Sequence, residues 1–285
     1  YLLLLIFGGT AHALLAAFLR PGKRPPGAEN AMILVRLLAY LRRHWPTTHI
    51  LVRGDSHFAT PEVLAVIAHR RHMDFVFGLA GNPVLLRQAA PVMQEARRLF
   101  QQRTAMAHAY GAPPPPSTRV YEEFAYAAAS WEQPWRVIVK AEVMAAGDNP
   151  RFVVTSLEAP TPQHVYEDLY CARGNCENDI KAVKCDLHSD RTSATTFLAN
   201  ATRLLWACGA YVLHHALRTH TLAHTALATA QPSTVILTLF KVATQVKQYK
   251  DRILLHLPTS CPVKALLHRV TTLLTAIPVP ALNTS

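Results

Sequence analysis

Five side chains carry the chemistry that this chain can be read for. Tyr170, Arg173, Glu177 and Lys184 follow one another at offsets of three, four and seven residues. On a helix of 3.6 residues per turn those offsets fall on one face, with Lys181 beside the row. A carboxylate flanked by cations and a phenol suits a place where a metal-held acid meets a phosphate. The fifth side chain is Asp55, in a Gly54-Asp55-Ser56 turn that follows the apolar run His49–Arg53. In open α/β sheets, ligands gather at the carboxyl ends of strands. Two carboxylates drawn from distant parts of a chain are what a hard divalent cation such as magnesium needs. Two such ions can activate an attacking water or hydroxyl and stabilise the leaving oxygen of a phosphodiester.

Each of these residues also has a plainer reading. Asp55 is a common turn residue in Gly-Asp-Ser. The Glu177 row can be a solvated helix laced by Arg173–Glu177 and Glu177–Lys181 pairs, worth about 0.3–0.5 kcal/mol each. Spacing alone leaves the two readings of the row level. Gly174-Asn175 argues against a uniform helix there, since glycine costs about 1 kcal/mol relative to alanine in a helix interior. Close approach of a backbone or a DNA strand would account for the glycine.

The elements that must position these residues follow from periodicity and turn signals. Residues 1–7 and 11–19 read as a strand hairpin around Gly8-Gly9, and 20–29 as a Pro/Gly/Lys-rich loop. Asn30–His44 has apolar residues at helical spacing. After the 49–53 strand, Thr60-Pro61-Glu62 predicts a helix start with Thr60 as N-cap, running to about Arg71. Asp74–Leu79 reads as a buried strand. Val84–His108 reads as one helix with a basic face of Arg87, Arg97, Arg98 and Arg103. Pro113–Pro116 is a stiff connector. Arg119–Ala127, Trp135–Val143 and Arg151–Leu157 predict an antiparallel meander inserted into a larger fold. The row lies in 164–187. A long helix over Asp190–Arg218 follows, with Phe197, Ala201, Leu204, Leu205, Cys208, Tyr211 and Val212 as its apolar positions. His220–Gln231 reads as loosely ordered, Thr234–Val242 as a short helix, Gln245–Leu257 as a hairpin, Pro262–Thr275 as a helix, and the tail as frayed. The order predicts a mixed α/β sheet flanked by helices.

Composition narrows the class. Half of the 285 residues are hydrophobic, so a sizeable core forms, and the net charge of +11 points to a polyanionic partner, nucleic acid before membrane. Cys171, Cys176, Cys185, Cys208 and Cys261 form no C-x-x-C pair, which fits a reducing cytoplasm rather than a disulfide framework or a zinc ribbon. The opening YLLLLIF breaks at Gly8, well short of a membrane span. A strand at residue 1 without a lead-in suggests missing upstream sequence.

The row matches Tyr-x2-Arg-x3-Glu-x6-Lys in full, the signature of a group of DDE transposases from bacterial insertion sequences. YCARGNCENDIKAVKCDL, DRTSATTFLANATRLLWACGAYVL, ILVRGDSHFATPEVL and DFVFGLAGN resemble that group. So do the opening LLLLIFGG and LLAAFLRPG, and YKDRILLHLPTSCPVKALL near the end. The resemblance covers nearly the whole chain. It implies a ribonuclease-H-like core with a β-rich insertion before the helix of the last acidic residue. It implies the divisions 1–80 (first part of the core), 81–160 (helix and meander), 161–225 (Glu177 helix and core helix) and 226–285 (C-terminal region).

The same resemblance implies three carboxylates holding two magnesium ions, or manganese in their place, with Asp55 the second carboxylate and Glu177 the third. Arg173 and Lys184 would contact DNA phosphates or terminal base pairs, supported by Tyr170. The partners implied are the terminal inverted repeats and target DNA, in a complex with a homodimer, on the bacterial nucleoid in the cytoplasm and with no membrane. The family's first aspartate finds no match: Glu29 is the only acidic residue before Asp55. The expectation is an N-terminally truncated transposase of weak or no activity. Two rivals stay open: a DNA-binding remnant without catalysis, and a ribonuclease-H-like nuclease outside transposition.

Overall fold

The computed structural model describes residues 1–23 and 25–276. In chain order the strands and helices are β1 (Leu2–Gly8), β2 (Ala13–Arg20), α1 (Gly27–His44), β3 (Ile50–Gly54), α2 (Pro61–Ala68), β4 (Met73–Leu79), α3 (Pro83–Gln88), α4 (Ala90–Ala109), β5 (Ser117–Tyr126), β6 (Trp135–Met144), β7 (Gly147–Asp148) and β8 (Arg151–Thr155). There follow α5 (Pro162–His164), α6 (Gly174–Lys181), α7 (Phe197–Ala216), α8 (Pro232–Val235), β9 (Gln245–Gln248), β10 (Ile253–His256) and α9 (Lys264–Thr275). The chain forms two compact units, Arg24–Gly174 and Tyr1–Lys23 with Asn175–Ser285.

The Arg24–Gly174 unit is built on a mixed sheet of order β3-β4-β8-β6-β5, with β7 paired to β6. Only β3 and β4 run parallel; β8 pairs antiparallel with β4 and with β6. The meander is therefore no separate layer. It extends the sheet, register by register, from Val76–Thr155 onward. Strand alternation sorts the core. Phe75, Phe77, Val137, Val139, Phe152 and Val154 face α1, α2 and α4, while Val76, Ile138 and Val153 face Val165 and Tyr166. Burying such side chains fully contributes about 1.5–3 kcal/mol each. The sheet is thus flanked on both faces, as the pattern predicted.

The second unit packs the antiparallel β1–β2 hairpin against α7, around Leu5, Val183, Leu204, Cys208 and Tyr211. A smaller core joins Leu222, Leu227, Val235, Leu239 and Val270. That core corrects the expectation of loose order over His220–Gln231. Leu222 and Leu227 are buried, and two threonine hydroxyls of this stretch satisfy nearby carbonyls: Thr221 donates to Leu217 and Thr225 to Leu222. The hairpin over 245–256 and the final helix form where expected. Residues 277–285 lie outside the described residues, and with them the expected frayed tail.

Three further expectations change. Val84–His108 is two helices, because Pro91 fits only a first turn, and Asn82 caps the shorter one by accepting from the Val84 and Leu85 amides at 3.0 Å. The stretch 162–186 is not wound uniformly. It widens over Val165–Tyr170, tightens over Cys171–Arg173, is α-helical through α6, and widens again over Ala182–Asp186. The wide turns show as i→i+5 bonds, such as Leu187 N–H to Ala182 O at 3.0 Å. Helix α7 buries Asn200, Leu204, Ala207, Cys208 and Tyr211, leaving Phe197, Leu205 and Val212 exposed. Among the described residues no helix is long and apolar enough to cross a membrane.

Candidate active site

In the Arg24–Gly174 unit, Asp55 follows β3 at its carboxyl end. Its carbonyl accepts the Phe58 amide at 3.1 Å, and its Oδ1 accepts the His57 amide at 2.9 Å. That closes the turn in the way its plainer reading requires. One oxygen is thereby engaged; Oδ2 accepts no hydrogen bond among the described residues, and the side chain is 46% exposed. The turn is wedged from below. A Cβ on Gly54 would lie 2.8 Å from the Phe58 ring, so only glycine lets that ring seat against the strand end.

Tyr170 arrives at the same place from 115 residues later in the chain. A Cβ on Gly78, on the neighbouring strand β4, would lie 2.6 Å from the Tyr170 hydroxyl and 3.1 Å from the Ser56 amide nitrogen. Arg53, two residues before Asp55, donates from Nη1 to the Leu169 carbonyl at 3.1 Å. The Tyr170 turn is therefore tied to the Asp55 strand end at Leu169 and at the tyrosine itself. The Arg173 guanidinium lies 5.8 Å from the Tyr170 ring centroid, over its face. The structure thus brings Asp55, Tyr170 and Arg173 together in one unit.

The turn is braced from behind by a polar cluster that spacing did not reveal. Tyr121 donates to Glu167 at 2.6 Å, and Gln163 donates to the same carboxylate at 3.0 Å. These bonds hold the Glu167 carboxyl below its usual range, Tyr121 foremost. Burial, then the Glu167 bond, pushes the Tyr121 phenol up. Lys140 bonds Glu142 at 2.7 Å and lies over the Tyr166 ring. Burial pushes the Tyr166 phenol up to about 12. The usable sequence signal was the strand alternation, which puts Tyr121, Lys140 and Glu142 among apolar neighbours where charges must pair.

Glu177 and Lys184 lie in the other unit, Glu177 on α6 and Lys184 in the wide turn after it. The expected four-residue row is thus shared between units. Within this unit α6 is anchored through Asp179, which sequence reading passed over. The His12 imidazole meets Asp179 Oδ2 at 2.9 Å, and the Tyr211 hydroxyl lies 3.0 Å from Oδ1. Both partners come from elements packed beside α6, so they fix the turn on which Glu177 stands. Lys184 lines a cavity of about 270 Å³ with Ile180, Asp190 and Thr192.

The expected basic face of α4 is partly neutralised. Arg97 bonds Asp148, and Arg98 bonds Glu95 at 2.6 Å. Arg87 and Arg103 have no ion pair among the described residues. Nor, among those residues, do three His, Cys, Asp or Glu side chains gather as a complete metal centre.

No curated protein matches the chain significantly. A family model, Transposase DDE domain group 1, matches residues 1–279. That span takes in the Asp55 strand end, the whole meander and the Glu177 helix, and the mixed sheet flanked by helices is the ribonuclease-H-like arrangement such a domain needs. The chain belongs to the Transposase DDE domain group 1 family.

Proposed function

We propose that the chain cuts DNA at the inverted-repeat ends of an insertion sequence and joins the freed 3′-hydroxyl to target DNA. The observation that carries this reading is the meeting of the Asp55 turn and the Tyr170–Arg173 turn at Gly78. There the turn that carries Asp55, one of whose carboxylate oxygens is open among the described residues, meets the turn that carries a phenol and a guanidinium. Asp55 and Glu177 would hold the divalent cations, magnesium or manganese, since carboxylate oxygens are the hard donors these ions take. Bound cations would supply charge neutralisation at the phosphate and activation of the attacking hydroxyl. Arg173 and Lys184 bind and orient the DNA backbone, and Tyr170 holds Arg173 in place through its ring. The active assembly is a homodimer on the paired element ends.

The test is magnesium-dependent cleavage and strand transfer on terminal-repeat DNA, with full-length protein. Asp55→Asn and Glu177→Gln are each expected to lower the rate at least about 100-fold. An unchanged rate in either variant removes that residue from the catalytic set. The second reading is DNA binding without cleavage, which the net charge of +11 supports by itself. It predicts tight, salt-sensitive binding of terminal-repeat DNA with no magnesium-dependent product.

A further inference from the structure

The β9–β10 hairpin is a two-stranded ribbon, and no further strand pairs with either edge among the described residues. Every residue of both strands is exposed, and none belongs to a buried core of the described residues. A lone pair of short strands is only marginally stable in water, so such a ribbon gains order from whatever covers it.

The register sorts its side chains. Gln248 pairs with Ile253 and Val246 with Leu255, so these four share one face; Gln245, Lys247, Leu254 and His256 share the other. On the first face Val246, Ile253 and Leu255 are 61%, 62% and 66% exposed. The turn between the strands closes by donation from the Tyr249 amide to the Arg252 carbonyl at 2.8 Å. The Arg252 guanidinium lies 5.4 Å from the Tyr249 ring centroid.

Charge and shape together name the occupant. Over residues 245–256, Lys247, Lys250 and Arg252 stand against a single acid, Asp251. None of the three cations has an ion pair among the described residues. Cations gathered in this way on so small an element call for a polyanion. Two strands about 4.8 Å apart make a ribbon that enters the roughly 12 Å major groove of duplex DNA. In that groove thymine methyls offer apolar contact, and adenine offers the donor and acceptor that a glutamine amide matches. Val246, Ile253 and Leu255 suit the first, and Gln248 among them suits the second. An anionic membrane would also take the cations, but a face about 13 Å long with an amide in it is a poor one to sink into lipid.

We infer that the β9–β10 ribbon lies in the major groove of duplex DNA, with Val246, Gln248, Ile253 and Leu255 toward the base edges and Lys247, Lys250 and Arg252 on the flanking phosphates. The inference rests on the transposase reading for its partner. It adds a contact with DNA that Arg173, Lys184 and the two carboxylates do not provide.

The experiment is fluorescence anisotropy with the full chain and a labelled mixed-sequence duplex of about 30 base pairs, without magnesium, between about 50 and 200 mM salt. Lys247→Gln, Lys250→Gln and Arg252→Gln together are expected to flatten the slope of log affinity against log salt by about two to three units. Ile253→Ser with Leu255→Ser is expected to weaken binding at least about tenfold and to leave the slope within about 0.5 of wild type. All five positions are exposed, and circular dichroism checks that both variants fold. A further measurement needs no variant. A duplex with deoxyuridine in place of thymidine lacks the methyl groups, and wild type is expected to bind it about fourfold more weakly, the effect of one buried methyl-sized group. Equal binding of the two duplexes by wild type overturns the proposal, and so does either variant matching wild type. A serine variant that matches wild type on DNA but no longer binds phosphatidylserine–phosphatidylcholine vesicles assigns the ribbon to a membrane instead. Wild type that binds no duplex overturns this proposal and the transposase reading together. Cleavage by Asp55→Asn, lost or kept, bears on the catalytic reading alone, because binding here is read without magnesium.

Discussion

The Tyr170 hydroxyl stands 2.6 Å from the point where a Cβ on Gly78 would lie. Strand β4 must be bare at that point for the Tyr170 turn to close over the end of the sheet. The Ser56 amide, 3.1 Å from the same point, is the next residue after Asp55. A missing side chain on one strand thus sets the spacing between the turn that carries Asp55 and the turn that carries Tyr170 and Arg173.

Gly78→Ala is therefore expected to push Tyr170 outward and to destabilise the protein by about 1–3 kcal/mol through overpacking. Tyr170→Phe removes the atom at 2.6 Å and leaves ring carbon Cζ at 3.4 Å. The double variant should cost less than the sum of the two, by about 1 kcal/mol. Denaturant melts of the four proteins give the coupling. Strict additivity would show that Tyr170 does not close onto Gly78.

Glu142 gives a pH signature. Its side chain is 5% exposed, and burial alone would raise its pKa. Donation from Lys140, Arg119 and Asn149 at 2.7–2.8 Å outweighs burial and brings it down to about 2. A carboxyl whose folded pKa is depressed stabilises above its unfolded pKa, near 4.5, and loses that contribution as pH falls toward 2. Glu142→Gln should lower stability at pH 7 by about 3 kcal/mol, because Lys140 is left in a largely buried place. The gap from wild type should shrink as pH drops below 4.5. A gap equal at pH 7 and pH 3 would show that Glu142 is not held as a buried carboxylate.

Helix starts test how far local sequence decides structure. Thr60 stands at the N-cap position that Thr-Pro-Glu predicts, yet its side chain makes no capping bond, and its Oγ1 is buried without a hydrogen-bond partner among the described residues. Asn82 caps α3 with two bonds and donates to the Tyr126 hydroxyl at 3.0 Å. Asn82→Ala should cost about 1–2 kcal/mol and Thr60→Ala less than about 0.5 kcal/mol. Equal losses in thermal melts would mean that the Thr60 hydroxyl does cap α2.

Much of the fold was legible for a physical reason. β4 reads as a short apolar run because helices cover one of its faces and the 165–166 turn the other, while β6 keeps period two where Arg136, Lys140 and Glu142 alternate with Val137, Val139, Ala141 and Val143. Asp55 was legible because a strand followed by Gly-Asp-Ser marks a strand end. The sheet's order was not, since β8 pairs with β4 although α3, α4, β5, β6 and β7 lie between them in the chain, and no local signal records that pairing. The winding of 162–186 was hidden because i→i+4 and i→i+5 turns share one hydrophobic pattern. Asp179 was missed because an acid between Asn178 and Ile180 reads as a solvated helix residue, and only the fold brings His12 and Tyr211 to it.

The arginines of α4 offer a last test, on the DNA partner itself. Arg97 and Arg98 lie on the same helix as Arg103, but each already has a carboxylate partner, Asp148 and Glu95. To take a DNA phosphate, either must first give that partner up. Arg103 lines the cleft beside Arg119 and has no ion pair among the described residues, so it can release a phosphate counterion without that exchange. Binding that neutralises one more phosphate steepens the log-affinity against log-salt slope by about 0.9. Arg103→Ala should therefore flatten the slope for terminal-repeat duplex by about one unit, and Arg98→Ala should leave it within about 0.3 of wild type. Fluorescence anisotropy between about 50 and 200 mM salt reads both. Should Arg98→Ala flatten the slope as much as Arg103→Ala, the ion pair with Glu95 does not withhold that arginine from DNA.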